Sequence, residues 1–140
     1  MTRPQATRVT TLRNHYTALH AALNAPTWEI ACDFGLMAGG CDPGDIAYVW
    51  SDPFAHLGGR RKIYVCEDWA INMNLGTNAN DYDNMAGSLV HEWSHAELNT
   101  GDEVYGTANC QAYATSIMAF KRELTIQTAD CLEYYAESQA

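Results

Sequence analysis

Apolar residues near the start of the chain recur at helical spacing. Val9, Leu12, Tyr16, Leu19 and Leu23 fall three or four positions apart with polar residues between them. The spacing predicts a helix over about residues 8–24, closed by Asn24 and Pro26. From Trp28 to about Asp68 the pattern changes. Gly39-Gly40, Asp42-Pro43-Gly44, Asp52-Pro53 and Gly58-Gly59 punctuate short β-prone runs at Ile46–Trp50 and Lys62–Cys66, which predict a small antiparallel sheet over about residues 28–68. Asn72 to Asp83 is rich in Asn, Gly and Asp and reads as a connecting loop. A second strong helix is expected over about 83–98, with Asp83 as N-cap and Met85, Leu89, Trp93 and Ala96 as its apolar face. Asn99-Thr100-Gly101 stops it, because Asn and Gly tolerate the left-handed conformation needed at a helix end. Two further helices are expected, roughly Thr107–Arg122 and Ile126–Ser138. The predicted fold is α+β and mostly helical, a single domain over residues 1–140 with a minor antiparallel sheet ahead of the central helix.

Composition narrows the function classes. The net charge of −9 argues against a nucleic-acid partner, which calls for a basic stripe, and an acidic surface draws in cationic substrates. No apolar run reaches the ~18 residues of a membrane span. The five cysteines, Cys32, Cys41, Cys66, Cys110 and Cys131, form no CxxC pair. They read as disulfides of an oxidising compartment, with at least one thiol left over because the count is odd. Their pairing stays open. The opening residues MTRPQATRVTTLRN hold basic side chains but no apolar leader core.

Chemistry concentrates on the central helix. His91-Glu92-Trp93-Ser94-His95 spells HExxH. A four-residue step is about one helical turn, so both imidazoles leave the same face and can share one zinc ion. Glu92 lies beside the first of them, placed to take a proton from a water attacking a carbonyl. A catalytic zinc needs a third protein donor. The extended pattern HExxHxxGxxH is excluded, since positions 98 and 101 are Leu98 and Gly101. A glutamate from a later helix, with Glu123 the nearest, is one option. Asp102, just past the helix end, is the more local one, with Gly101 allowing the chain to double back. Tyr105 follows three residues on, where a neutral hydroxyl can donate to a developing oxyanion. His15, His20 and His56 lie outside the motif and are expected not to be ligands.

With these residues in view, the sequence resembles the aspzincin metallopeptidases, the family of deuterolysin and the peptidyl-Lys metalloendopeptidases. Their signature is HExxH followed by GTxDxxYG, and here the second part reads Asn99-Thr100-Gly101-Asp102-Glu103-Val104-Tyr105-Gly106, with Asn99 replacing the leading Gly. Ile63-Tyr64-Val65-Cys66 is similar to the family's strand ending in cysteine. Thr128-Ala129-Asp130 with Glu133-Tyr134-Tyr135-Ala136 is similar to its closing helix, with Thr128 where Asn is usual. The resemblance implies a zincin-like fold, one zinc ion per chain held by His91, His95 and Asp102, Glu92 as catalytic base and Tyr105 as oxyanion donor. In peptidyl-Lys members the Asp and the Glu of the closing helix line the pocket that receives the substrate lysine. The resemblance therefore implies Asp130 and Glu133 as substrate-binding residues and cleavage on the amino side of lysine. Physically, an ammonium entering a partly desolvated pocket needs charge and acceptors together.

The expected function is thus a monomeric, secreted zinc endopeptidase acting on lysine-containing proteins or peptides. Two alternatives stand beside it. One is a catalytically impaired relative that binds zinc and serves as a binding module. The other is an exported toxin or effector protease with a narrow protein target, which suits a chain without the leader and propeptide usual in the family.

Overall fold

The computed structural model describes residues 3–33, 40–49, 61–67, 69 and 84–139. The chain opens with helix α1 (Arg3–Leu23), five residues longer at its start than the apolar spacing predicts. Leu19 and Ala22 are buried, whereas Val9 and Leu23 at the two ends of the predicted stripe are exposed. The helix therefore docks through its C-terminal half. Three strands follow: β1 (Trp28–Cys32), β2 (Ala47–Val49) and β3 (Arg61–Val65).

They form one mixed sheet of order β1-β3-β2, not an antiparallel one. β2 runs antiparallel to β3, but β1 runs parallel to it, pairing Trp28 with Arg61 and Cys32 with Val65. Parallel neighbours require a long connection. The chain between β1 and β3 supplies it and lays β2 on the far side of β3. Being central, β3 turns alternate residues to the core. Ile63 and Val65 are almost fully buried, and Tyr64 on the other face stacks on Tyr48 with ring centroids 4.9 Å apart.

Helix α2 (Met85–Leu98) carries the HExxH sequence. Its N-cap is Asn84, whose side-chain oxygen accepts from the Ala86 and Gly87 amides at 3.0 and 2.9 Å. Asp83, the expected cap, and the predicted 72–83 loop lie outside the described residues. Trp93 is buried and packs with Leu19, Ala22, Ile63 and Val65, with Leu89, Val90 and Leu98 partly buried against them. This apolar cluster joins α1, α2 and the sheet.

The expected helix Thr107–Arg122 is two helices, α3 (Thr107–Ala114) and α4 (Ala119–Leu124). Hydroxyl groups break it. Thr115 Oγ1 donates back to Gln111 O at 2.9 Å, and the Met118 amide donates to Ser116 Oγ at 3.2 Å. The last helix, α5 (Ala129–Glu137), starts three residues later than expected because Ile126 and Gln127 close a turn on Glu123 and Leu124. Disulfide Cys110–Cys131 ties α3 to α5, and Cys41–Cys66 ties the end of β3 to the segment before β2. Cys32 is the free thiol. Among the described residues, no helix is long and apolar enough to cross a membrane.

Candidate active site

Helix α2 sets His91, Glu92 and His95 along one side, facing a cleft of about 650 Å³. The edge strand β2 forms one wall through Ala47, Tyr48 and Val49, and Asp102, Tyr105, Asp130 and Glu133 also line it. All seven site residues expected from the sequence therefore meet in one place. The histidine rings pack edge to face with centroids 4.8 Å apart.

The turn after α2 brings the carboxylate in. Asn99 takes the left-handed conformation (φ 53°, ψ 43°), and its amide donates to His95 O at 3.1 Å. Gly101 was expected to provide the reversal, but its φ is not in the positive range, and a Cβ there would meet other atoms at ordinary distances. Gly101 instead bridges to the segment before α5, its amide donating to Gln127 O at 2.9 Å and its carbonyl accepting from the Ala129 amide at 3.0 Å. Held this way, Asp102 Oδ1 lies 3.2 Å from His91 Nε2 and 3.2 Å from His95 Nε2. Glu123, the other candidate third donor, is paired with Arg8 at 3.2 Å instead. Among the described residues, the groups of donors close enough to share an ion are His91/His95/Asp102 and His91/Asp130/Glu133. Neither includes His15 or His20, and His56 lies outside the described residues.

The first group suits a zinc ion. Tetrahedral ligands at ~2.0–2.1 Å from a metal stand about 3.3 Å from one another, close to the spacing of Asp102 from both imidazoles. The far nitrogen of each ring also has an acceptor. His95 Nδ1 donates to Thr100 O at 2.9 Å, while His91 Nδ1 faces Asp130 Oδ1 at 3.0 Å and Glu133 Oε2 at 3.2 Å. A proton held on each Nδ1 leaves the Nε2 lone pair for a metal. Sequence reasoning missed Thr100 and Ser94 as supports. Ser94 is fully buried, donates to His91 O at 2.8 Å and shares a hydrogen bond with Thr100 Oγ1 at 2.7 Å. The only available signal was the Thr of the second motif, which spacing arguments leave without a role.

The electrostatics follow the burial and the charges. Burial alone lowers the His91 imidazolium, but hydrogen bonds to Asp130 and Glu133, with the charges of Glu92 and Glu133, carry it up to about 10. Burial raises the Glu92 carboxyl, opposed by both histidines and helped by Asp102 and Glu133. Desolvation followed by the charges of Asp102, Asp130 and Glu103 holds the Tyr105 phenol above its ordinary value, so it stays a neutral donor. Tyr105 itself is 60% exposed at the cleft rim. Burial tends to raise the Asp130 carboxyl, but its bonds to His91 and the Gly106 amide outweigh this and hold it below the usual range.

A family model described as lysine-specific metallo-endopeptidase, that of the aspzincins, matches residues 3–137. The chain belongs to this family. Aspzincins are peptide-bond hydrolases, and membership implies a bound metal. The chain is 29% identical over 134 residues to the peptidyl-Lys metalloendopeptidase of Grifola frondosa, covering 95% of this chain and 32% of that protein. It is 32% identical over 102 residues to an extracellular protease of Aeromonas hydrophila, covering 71% of this chain and 25% of that protein. The chain thus spans a third or less of the length of these relatives. No solved structure matches it significantly.

Proposed function

We propose that this chain is the catalytic domain of a secreted, monomeric zinc endopeptidase that cuts on the amino side of lysine. One observation carries the reading. One carboxylate oxygen stands 3.2 Å from each of two imidazole Nε2 atoms in an open cleft, with Glu92 buried beside them. His91, His95 and Asp102 are the residues that would hold one zinc ion. Zinc in such a site acts as a Lewis acid, polarising a carbonyl oxygen and acidifying water. Glu92 accepts a proton from the attacking water and returns it to the leaving amine, a task suited to a carboxyl raised by burial. Tyr105 donates to the oxygen that gains charge as the carbonyl becomes tetrahedral. The edge of β2 borders the same cleft and offers an extended peptide a strand to lie against.

Lysine preference rests on Asp130 and Glu133. Both are buried, both line the cleft, and both turn a carboxylate oxygen toward His91 Nδ1, Asp130 at 3.0 Å and Glu133 at 3.2 Å. Their charge suits an ammonium, in keeping with the name of the Grifola relative. Two disulfides and the extracellular Aeromonas relative support secretion. Digestion of a peptide library with and without a chelator, followed by mapping of the cut sites, tests the whole reading. The expected result is chelator-sensitive cleavage before lysine, lowered about a hundredfold or more by Glu92→Gln with zinc still bound. Cleavage that survives the chelator would sink the zinc mechanism, and cuts scattered without regard to lysine would reduce the claim to general endopeptidase.

A further inference from the structure

Asp130 does more than border the cleft. It is 8% exposed, and each of its oxygens has a partner on a different side of the site. Oδ1 lies 3.0 Å from His91 Nδ1, and Oδ2 accepts from the Gly106 amide at 2.9 Å. Gly106 directly follows Tyr105 and, with φ 83°, opens helix α3. Because the Tyr105 ring is 60% exposed, its position depends on backbone anchors at either side. Val104, buried at 4% exposure, the Asn109 side-chain amide, which donates to Tyr105 O at 2.8 Å, and the Gly106–Asp130 bond are such anchors. Glu133 is placed differently. Its Oε2 reaches His91 Nδ1 at 3.2 Å, while its Oε1 lies where Gly87 leaves room beside α2.

Resting on the peptidase reading above, we propose that Asp130, besides bordering the lysine pocket, is a positioning residue that couples the first zinc ligand, His91, to the Tyr105 segment. The chemistry makes the coupling strict. Both partners of Asp130 are N–H donors once His91 presents Nε2 to a metal, so the site needs two acceptor oxygens on one short side chain. Asparagine has the same shape but only one acceptor, and its amide nitrogen must then face either His91 or Gly106 as donor against donor. One of the two links is lost without leaving a cavity.

The test compares Asp130→Asn with Glu133→Gln in the zinc-loaded chain. Asp130→Asn is expected to weaken zinc binding, measured by competition with a chromogenic chelator, by about 10–100-fold. Turnover should fall at least about tenfold on a norleucine peptide as well as on a lysine peptide, a loss that a lysine-binding role alone would confine to the lysine peptide. Glu133→Gln, which leaves the Gly106–Asp130 bond in place, should lower the preference for lysine over norleucine with exchange at the Gly106 amide unchanged. Zinc affinity within twofold of wild type in Asp130→Asn, or a loss of turnover confined to the lysine peptide, would overturn the assignment. A measurement on the wild type guards against misfolding of the variant. Stripping zinc with a chelator should speed hydrogen exchange at the Gly106 amide about tenfold, and an unchanged rate counts against the coupling. A wild-type chain that binds zinc yet cuts no peptide removes the peptidase reading, while the affinity and exchange measurements still decide the coupling.

Discussion

Gly87→Ala sets two opposed effects against each other inside the metal helix, and the structure decides the sign. Gly87 sits in the first turn of α2, where alanine is favoured over glycine by about 1 kcal/mol in a helix. On propensity alone the substitution stabilises. A Cβ at this position, however, would stand 2.1 Å from Glu137 Oε1, 2.7 Å from Glu133 Oε1 and 2.8 Å from Glu137 Cδ. Neither carboxylate can swing away freely, since both are buried, at 6% and 5% exposure. Glu137 Oε1 accepts from the Asn84 amide at 3.0 Å, and Glu133 holds His91. Overpacking costs about 1–3 kcal/mol, and loss of a buried hydrogen bond to a charged group about 1.5–3 kcal/mol. Against the helix gain, the net is a destabilisation of about 2–4 kcal/mol. For a chain of 140 residues this lowers Tm by roughly 6–12 °C, with about 3 °C per kcal/mol. Thermal unfolding of zinc-loaded Gly87→Ala and wild type, at one protein concentration and with disulfides intact, measures it. A variant as stable as wild type, or one raised by the few degrees that propensity alone provides, would show that α5 does not press its carboxylates against α2.

Tyr105→Phe is expected to lower kcat by about a hundredfold with KM within a few-fold, because the hydroxyl acts on charge that develops only in the transition state; steady-state kinetics on a lysine peptide decide it, and an unchanged kcat removes Tyr105 from the mechanism. Asn99→Ala should cost about 1 kcal/mol and Asn99→Gly nothing or a slight gain in thermal unfolding, since position 99 is left-handed at φ 53°; equal melting temperatures for the two variants would contradict the turn. Zinc uptake by the stripped protein at pH 8 should release close to one proton from His91, whose value is raised to about 10 in the absence of metal. Zinc affinity should therefore strengthen as pH rises toward 10 and weaken as it falls, and calorimetry in buffers of different ionisation heat that finds no proton release would refute the reasoning.

Local pattern was enough to nominate the residues that the structure brings together around the cleft. The HExxH residues needed only the helical repeat to share a face, and Asp102 and Tyr105 lie so few residues beyond the helix end that a short turn must return them to it. The choice of Asn99 as the turning residue rests on the same local physics, the low cost of left-handed backbone for Asn. Short-range chemistry misled where several local options compete. The Thr115-Ser116 break in the predicted Thr107–Arg122 helix depends on hydroxyl groups bonding their own backbone, which apolar spacing does not register.

Contacts between residues distant in sequence were decided by the tertiary structure alone. The parallel pairing of β1 with β3 depends on how a connection of more than twenty residues is routed, and strand propensity is the same for either direction. The Cys110–Cys131 pairing follows from helix packing that brings α3 onto α5, and Cys41–Cys66 from the placing of the segment before β2 beside the end of β3. Asp130, Glu133 and Glu137 recur at helical spacing, which by itself does not say what faces them. Packing of α5 on α2 buries them, with Asp130 and Glu133 beside His91 at the cleft and Glu137 on the Asn84 amide. A buried carboxylate takes its meaning from the donors placed around it, and here those donors stand some forty to fifty residues away along the chain, where no periodicity reaches.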